Sequence, residues 1–379
     1  MIFLDINTFF SPKAGGIRTY HQAKLSWFRA QARHRYCLVY PGPARRSSGE
    51  GPVTLEEAYG PAMTPDPQGY RLLVDYWRVF RIIRRLSPAV LEAGDPWFTG
   101  LFCLLLRRLG LYRGLLISFY HSDPVPSYFE PWAAGRPGRR GLARLAAQLF
   151  YRLQRAYALT VVSSRAMEAA LRSRGVTRVV RMPFGVAPLF LDGPPARTPP
   201  RGEIRVLYAG RLDREKGVDL LLDCLPGLLA RAEVRLTVAG RGAYAARFAA
   251  VEHARFRYLG FLDDPRAMRD LYDSHHVLVA PGPFETFGLG VLEAMARGLV
   301  VVGPDRGGTG ELLREAESPF LFPAGDGDGF RRALLAALDC DWEREAARAQ
   351  ALARGYGSWD QAVGRMVEHY QALAPGRPA

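Results

Sequence analysis

Lysine is nearly absent from this chain: of 51 basic residues in 379, only Lys13, Lys24 and Lys216 are lysines, and the rest are arginines. An arginine-rich sequence that keeps a lysine is read as needing a compact ammonium there, not a planar guanidinium. Lys24, expected on a helix surface, supports that reading less than Lys13 and Lys216, which fall in loops. Long apolar runs are missing too. Leu101–Leu106 stops at Arg107-Arg108, well short of the roughly 18 residues a membrane span requires. The four cysteines, Cys37, Cys103, Cys224 and Cys340, are widely scattered and form no C-x-x-C pair, which gives no zinc-site pattern and fits reduced thiols in the cytoplasm. The apolar start, Met1–Phe10, is broken by Asp5 and Asn7 and lacks a basic flank and a cleavage site, so it reads as a first strand and not as a leader. The net charge of +14 favours anionic partners. No recognition helix, finger or aromatic RNA-binding motif accompanies it, so nucleic acid is not the expected partner.

What is present is ordinary globular composition, 48% apolar and 23% charged, over a length that exceeds the usual single domain of about 100 to 200 residues. In the second half short apolar runs recur at Ile204–Ala209, Arg235–Ala239, Phe256–Leu259, His276–Ala280, Leu299–Val302 and Phe320–Phe322, most of them separated by helix-like segments. The first half repeats the rhythm at Ile2–Ile6, Tyr36–Tyr40, Val90–Glu92, Leu115–Phe119, Leu159–Val162 and Val179–Met182. Near-continuous apolar strands alternating with helices predict parallel sheets covered on both faces. The fold expected is α/β, two Rossmann-like doubly wound domains facing across a deep cleft. Four prolines between Asp192 and Gly202 block both helix and central strand, which sets a first domain at 1–190, a linker at 191–202 and a second domain at 203–355.

Ligands of such sheets bind beyond the carboxyl ends of the strands, and the motifs fall there. Gly210-Arg211…Lys216-Gly217 leaves one strand and enters a helix. Two cations beside a helix N-terminus suit a diphosphate, although a solvated basic loop has the same composition. Pro281–Ala296 holds Glu285 and Glu293 eight positions apart around the turn Phe287-Gly288-Leu289. Glu293 falls on the apolar face of its helix, where a carboxylate needs a partner. Ribose hydroxyls or an arginine would serve, while Glu285 is placed to bind hydroxyls of a sugar. Backbone N–H groups of the turn are placed to stabilise charge on a leaving diphosphate. In the first half, Lys13, Gly15, Gly16 and Arg18 make a loop that allows close approach of a phosphate or sugar. His121 and Asp123 follow another strand, suited to a donor sugar and to its orientation or the acceptor.

Together these residues resemble the retaining glycosyltransferases of the GT-B fold, family 4, over almost the whole chain, with E-x₇-E at Glu285 and Glu293 the most specific match. The resemblance implies that Arg211 and Lys216 hold the diphosphate, Glu293 the ribose, and Glu285 with the following turn the sugar, with His121 near the reacting carbon. It implies no cofactor and no divalent metal, and front-face attack in which the leaving phosphate takes the acceptor's proton. The opening Ser11–Tyr20 with Ala23-Lys24, and Val39–Pro43, are similar to a subgroup of mannosyl- and sulfoquinovosyltransferases acting on glycolipids. Where the family has N-G-V-D this chain has Phe184-Gly-Val-Ala187, a hinge segment, and the C-terminal helix, 356–379, is expected to pack on the first domain. A nucleotide-sugar epimerase or a non-catalytic nucleotide-sugar binder of the same fold is the alternative.

From Arg71 to Arg155 there are fourteen arginines against five acids. Arg71–Leu86 and Arg139–Tyr157 set arginines among large apolar residues at helical spacing, a pattern that suits either an anionic lipid surface or a core helix with a solvated basic face. The expected partners are therefore a GDP- or UDP-sugar donor and a lipid-linked acceptor, with the protein peripheral on the inner face of the membrane.

Overall fold

Each apolar run expected as a strand is a strand in the computed structural model, which describes residues 1–11, 15–63, 69–95, 97–121, 124–125, 129–193 and 202–374. Lys13 and Asp123 lie outside the described residues, as does most of the 191–202 segment.

The first sheet contains β1 (Ile2–Ile6), β2 (Arg35–Gly42), β3 (Arg46–Glu50), β4 (Val53–Tyr59), β5 (Val90–Ala93), β6 (Leu115–Phe119), β7 (Leu159–Val162) and β8 (Val179–Arg181), in the order β3-β4-β2-β1-β5-β6-β7-β8. All its pairings are parallel except β3 with β4. That edge hairpin escapes a reading based on apolar runs: β3 is exposed throughout, and β4 buries Glu56, which accepts from Arg78 and Arg85. The helices of this half are α1 (Gly16–Gln31), α2 (Tyr76–Leu86), α3 (Phe98–Arg108), α4 (Glu130–Ala133), α5 (Pro137–Ala156) and α6 (Arg165–Ser173).

A short α7 (Pro188–Leu191) leads to the second sheet. It contains β9 (Ile204–Ala209), β10 (Val234–Ala239), β11 (Phe256–Gly260), β12 (Val277–Val279), β13 (Val300–Pro304) and β14 (Leu321–Phe322), all parallel, in the order β11-β10-β9-β12-β13-β14. Its helices are α8 (Val218–Ala230), α9 (Ala245–Ala249), α10 (Pro265–Asp273), α11 (Leu289–Ala296), α12 (Gly307–Glu315), α13 (Gly327–Leu338) and α14 (Trp342–Tyr356), and α15 (Trp359–Leu373) ends the described chain.

Contacts divide the chain into Met1–Pro183 with Asp360–Ala379, and Phe184–Trp359. The boundary falls before 190 because residues 184–193 are tied into the second unit. Val186 exchanges backbone hydrogen bonds with Gly357 and Trp359. The fully buried Arg297 grips Asp273 through two nitrogens, at 2.6 and 2.8 Å, and donates to the carbonyls of Phe190, Asp192 and Gly193.

The first unit holds a charged cluster in its core. Asp5 on β1 and Glu92 on β5 stand directly opposite each other in register, both buried, and like charges in that relation repel. Lys24 resolves the conflict: its Nζ lies 2.5 Å from Asp5 and 3.1 Å from Glu92. Tyr36 donates to Asp5, and Tyr20 and Tyr370 donate to Glu92, the last of these reaching from α15. Lys24 is thus a core residue and not a surface one. Its helix turns that position toward the sheet, and the two carboxylates supply the partners that burial of an ammonium demands. Burial works against charge on Asp5, but Lys24 and His21 hold its carboxyl below the usual range, while burial and Asp5 push Glu92 up to about 7.

Replacing Lys24 by alanine leaves two facing carboxylates without their cation. Denaturant titration of Lys24→Ala is expected to show a loss of about 3–5 kcal/mol, and a wild-type midpoint would show that the cluster does not need its cation.

Candidate active site

β9 and β12 are neighbours at the point where strand order reverses, with β10 and β11 on one side and β13 and β14 on the other. Loops leaving such a point form the ligand crevice of a doubly wound sheet. After β9 the chain passes Gly210 and Arg211 into a 3₁₀ turn, Arg214–Lys216, and then α8. After β12 it passes Pro281–Phe287 into α11.

The two loops meet backbone to backbone. Gly217 has a φ of 67°, and a Cβ there would lie 2.6 Å from the Pro281 carbonyl oxygen, so only glycine fits. That contact seats Lys216 beside Glu285, and Nζ donates to Oε1. Burial alone would raise the Glu285 pKa, but Lys216, through charge and hydrogen bond, and then Arg211 hold it below the ordinary carboxylate range. Arg211 is itself bonded to Asp213 at 3.1 Å and to Glu215. The loop beyond Glu285 is pinned from another side, because the Gly308 N–H, in the first turn of α12, donates to the Glu285 carbonyl at 2.6 Å. The Gly307-Gly308 pair was not among the candidates. Its position just after β13 was the signal available.

Gly288 caps α11 with a φ of 87°, and no side chain caps the helix start or places an acid in its first turn. The N–H groups beginning at Leu289 therefore face a site that suits an anion. Phe287, by contrast, is buried and packs edge-on against Phe184 and Tyr356, so its ring anchors the turn. One turn into α11, Glu293 is flanked by buried Leu292 and Ala294. Among the described residues its side chain has no ion pair or hydrogen bond, and burial alone pushes its carboxyl up to about 8. The arginine bridge that was its alternative partner is not made.

The candidates in the first unit are arranged as follows. Gly15 and Gly16 are exposed at the N-terminal end of α1, and a side chain at Gly16 would meet nothing within 4 Å. Arg18 is half-buried on the first turn. His121, just past β6, stacks on Phe119 at 4.5 Å and meets the edge of Tyr20 at 5.1 Å. Burial, with His21 and Lys24 adding, drives its pKa well below the ordinary histidine value, so the ring is neutral at pH 7. Among the described residues no group of three or more His, Cys, Asp or Glu side chains is placed to hold a metal ion, and no helix is long and apolar enough to cross a membrane.

Two parallel α/β units, one carrying a paired lysine and glutamate beside an uncapped helix start, define the GT-B class of sugar-transferring enzymes. Comparison with known proteins agrees. The family described as "Glycosyl transferases group 1" matches residues 203–340 and "Glycosyltransferase Family 4" matches residues 14–188. A GDP-mannose-dependent alpha-mannosyltransferase of Mycobacterium tuberculosis (strain CDC 1551 / Oshkosh) is 31% identical over 83% of this chain and 79% of its own length. A GDP-mannose-dependent alpha-(1-6)-phosphatidylinositol dimannoside mannosyltransferase of M. tuberculosis (strain ATCC 25177 / H37Ra) is 28% identical over 80% and 79%. Among solved structures, sucrose-phosphate synthase from Thermosynechococcus elongatus superposes with a TM-score of 0.74 at 20% identity, covering 98% of this chain and 99% of its own. WaaG, a glycosyltransferase involved in lipopolysaccharide biosynthesis, gives 0.70 at 15%, covering 99% and 100%. The chain belongs to glycosyltransferase family 4, with the GT-B fold.

The state of Glu293 can be tested directly. A carboxyl whose folded pKa is raised contributes stability at low pH and loses it as pH rises through the folded value, here about 8. Glu293→Gln mimics the protonated form. Its melting temperature without ligand is expected to match wild type at pH 5 and to exceed it at pH 9. A difference that does not change with pH would mean that Glu293 is ionised throughout.

Proposed function

We propose that the chain transfers a hexose of the mannose type, with retention of configuration, from a nucleoside-diphosphate sugar to an acceptor hydroxyl. The observation that carries this is the Lys216–Glu285 pair at the start of α11, with Glu293 unpaired one turn on. Glu285, ionised, accepts from sugar hydroxyls. Glu293 has the acceptor oxygens that a ribose diol needs. Arg211, Lys216 and the α11 N–H groups take the diphosphate as the bond from its oxygen to the anomeric carbon breaks. The acceptor oxygen bonds to that carbon on the same face, and its proton passes to the departing phosphate oxygen. No protein nucleophile is needed. The neutral His121 ring suits a hydrogen bond to a sugar hydroxyl without adding charge. Because the cations and the helix end supply the positive charge, the transfer is expected to run without a divalent metal. The mannosyltransferase relatives, named as GDP-mannose-dependent, favour guanosine as the nucleoside.

The test is a melting-temperature panel of GDP-, UDP- and ADP-sugars followed by a transfer assay in excess chelator. GDP-mannose at about 100 times its dissociation constant stabilises by about 2.7 kcal/mol. Lys216→Ala is expected to lower turnover by about 10²- to 10³-fold, the usual cost of losing one donor to a developing anion. Stabilisation by none of the sugars, or full activity in Lys216→Ala, would overturn the assignment.

We further propose that the acceptor is presented at an anionic membrane surface. On α3, Phe98, Leu101 and Leu105 are exposed in one stripe that Leu109 continues just past the helix end, and on α5 Leu142, Leu145 and Leu149 are exposed likewise. Neither helix contains an acid, and between them they carry seven arginines. Such faces suit the interface of an anionic bilayer. Within α2, Arg78 and Arg85 are occupied by Glu56, so that helix contributes less of the free charge. The protein is expected to float with vesicles containing phosphatidylglycerol and not with pure phosphatidylcholine, and Leu145→Glu with Leu149→Glu should leave it in the soluble fraction. Equal flotation of variant and wild type would remove these leucines from the contact.

A further inference from the structure

Alanines at 143 and 147, one turn apart on the buried face of α5, leave a cavity of about 360 Å³ between α5, α4 and the chain at Val125 and Phe129. Its walls are mostly apolar: Val125, Ala133, Ala143 and Ala147 are all buried, Tyr151 adds a ring face, and Gln148 is the one amide among the lining residues. Its mouth is cationic. Arg140, Arg144 and Arg174 stand around it with a single acid, Glu130. No described residue forms an ion pair with any of the three arginines, and the Arg174 guanidinium lies over the Tyr151 ring at 5.4 Å. A largely apolar cavity of this size favours hydrocarbon over water, and guanidinium groups at its mouth favour a phosphate or carboxylate.

We propose that this cavity is a binding site for an anionic alkyl amphiphile: one hydrocarbon chain lies against Ala143, Ala147 and Tyr151, and the head group is held by Arg140, Arg144 and Arg174. The site belongs entirely to the first unit, uses none of the loops after β9 and β12, and stands whether or not the donor assignment holds. It also differs from the exposed leucine stripe of α5, because Leu142, Leu145 and Leu149 do not line it.

The test is calorimetric titration of the full-length protein, without sugar donor or vesicles, with octyl, nonyl and decyl phosphate below their micelle concentrations. Inorganic phosphate and neutral decyl maltoside are the comparison ligands. Saturable one-to-one binding is expected, tightening about fourfold per methylene, with inorganic phosphate at least 100-fold weaker. Ala147→Phe, which fills the cavity, should weaken decyl phosphate at least tenfold. Arg140→Gln with Arg144→Gln, both exposed and therefore harmless to folding, should weaken it at least tenfold and remove its advantage over decyl maltoside, which decides the matter even where Ala147→Phe fails to fold. The Leu145→Glu with Leu149→Glu variant should titrate like wild type. Binding that ignores chain length, inorganic phosphate binding as tightly as decyl phosphate, or loss of binding in the leucine variant with none in the arginine variant would each overturn the proposal.

Discussion

Two carboxylates facing each other across adjacent strands cannot both stay charged in a dry core unless a cation stands between them. Asp5 and Glu92 are in that position, and Lys24 is that cation. The cluster ties α1, β1, β2 and β5 together through Tyr20 and Tyr36, and it takes in the end of the chain through Tyr370 on α15. The return of the last helix to the first unit is therefore a polar commitment as well as an apolar one. A guanidinium is broader and planar, and it fits poorly between two side chains fixed by strand register. Lys216 repeats the logic in the second unit, where loops held together at Gly217 leave room for one compact cation against Glu285. Both lysines that the structure describes among the three thus occupy confined carboxylate sites, which accounts for their survival in a chain that otherwise uses arginine.

The strands were legible because parallel strands covered on both faces must be apolar nearly throughout, and β9 to β14 follow that rule apart from an exposed arginine near the start of each of β9, β10 and β11. The β3–β4 hairpin was not legible, because its burial depends on charge pairing instead. Glu56 reads as a solvent residue until Arg78 and Arg85 arrive from α2. Lys24 was misplaced for the same reason: helical spacing reports which face a residue takes, and it says nothing about acids waiting on the sheet below. The boundary between units was drawn at the prolines, where the chain looks least structured. The contacts move it earlier, because Arg297, over a hundred residues away in sequence, satisfies the carbonyls of 190, 192 and 193.

The spacing of arginines and leucines in α5 fitted both a core helix and a lipid-facing helix, and the structure shows why one pattern allowed two readings. Ala143, Ala147, Phe150, Tyr151 and Gln154 turn inward, so one face is core. Leu142, Leu145 and Leu149 remain exposed on another. α3, which the sequence offered only as an apolar run too short to span a bilayer, repeats the exposed stripe. Periodicity identifies amphipathic helices, but a helix with two apolar faces requires knowledge of its neighbours.

Three titratable groups that the sequence singled out prove to have three different electrostatic settings, and the differences follow from their partners. Glu285 is held ionised by Lys216 and Arg211. Glu293, eight residues on, has burial but no cation and sits near 8. His121 has burial and two cationic or ionisable neighbours, and it is neutral. Residue type and spacing offered both glutamates as ligands for hydroxyls, Glu293 with an arginine as its alternative partner. Environment separates them: Glu285 is held charged by its two cations, whereas Glu293 has burial and no cation to favour its charged form. Arg211 and Lys216 both hold carboxylates. Under the proposed donor assignment a diphosphate would compete with those carboxylates for both cations, whereas the uncapped start of α11 has no acid in its first turn to compete with it.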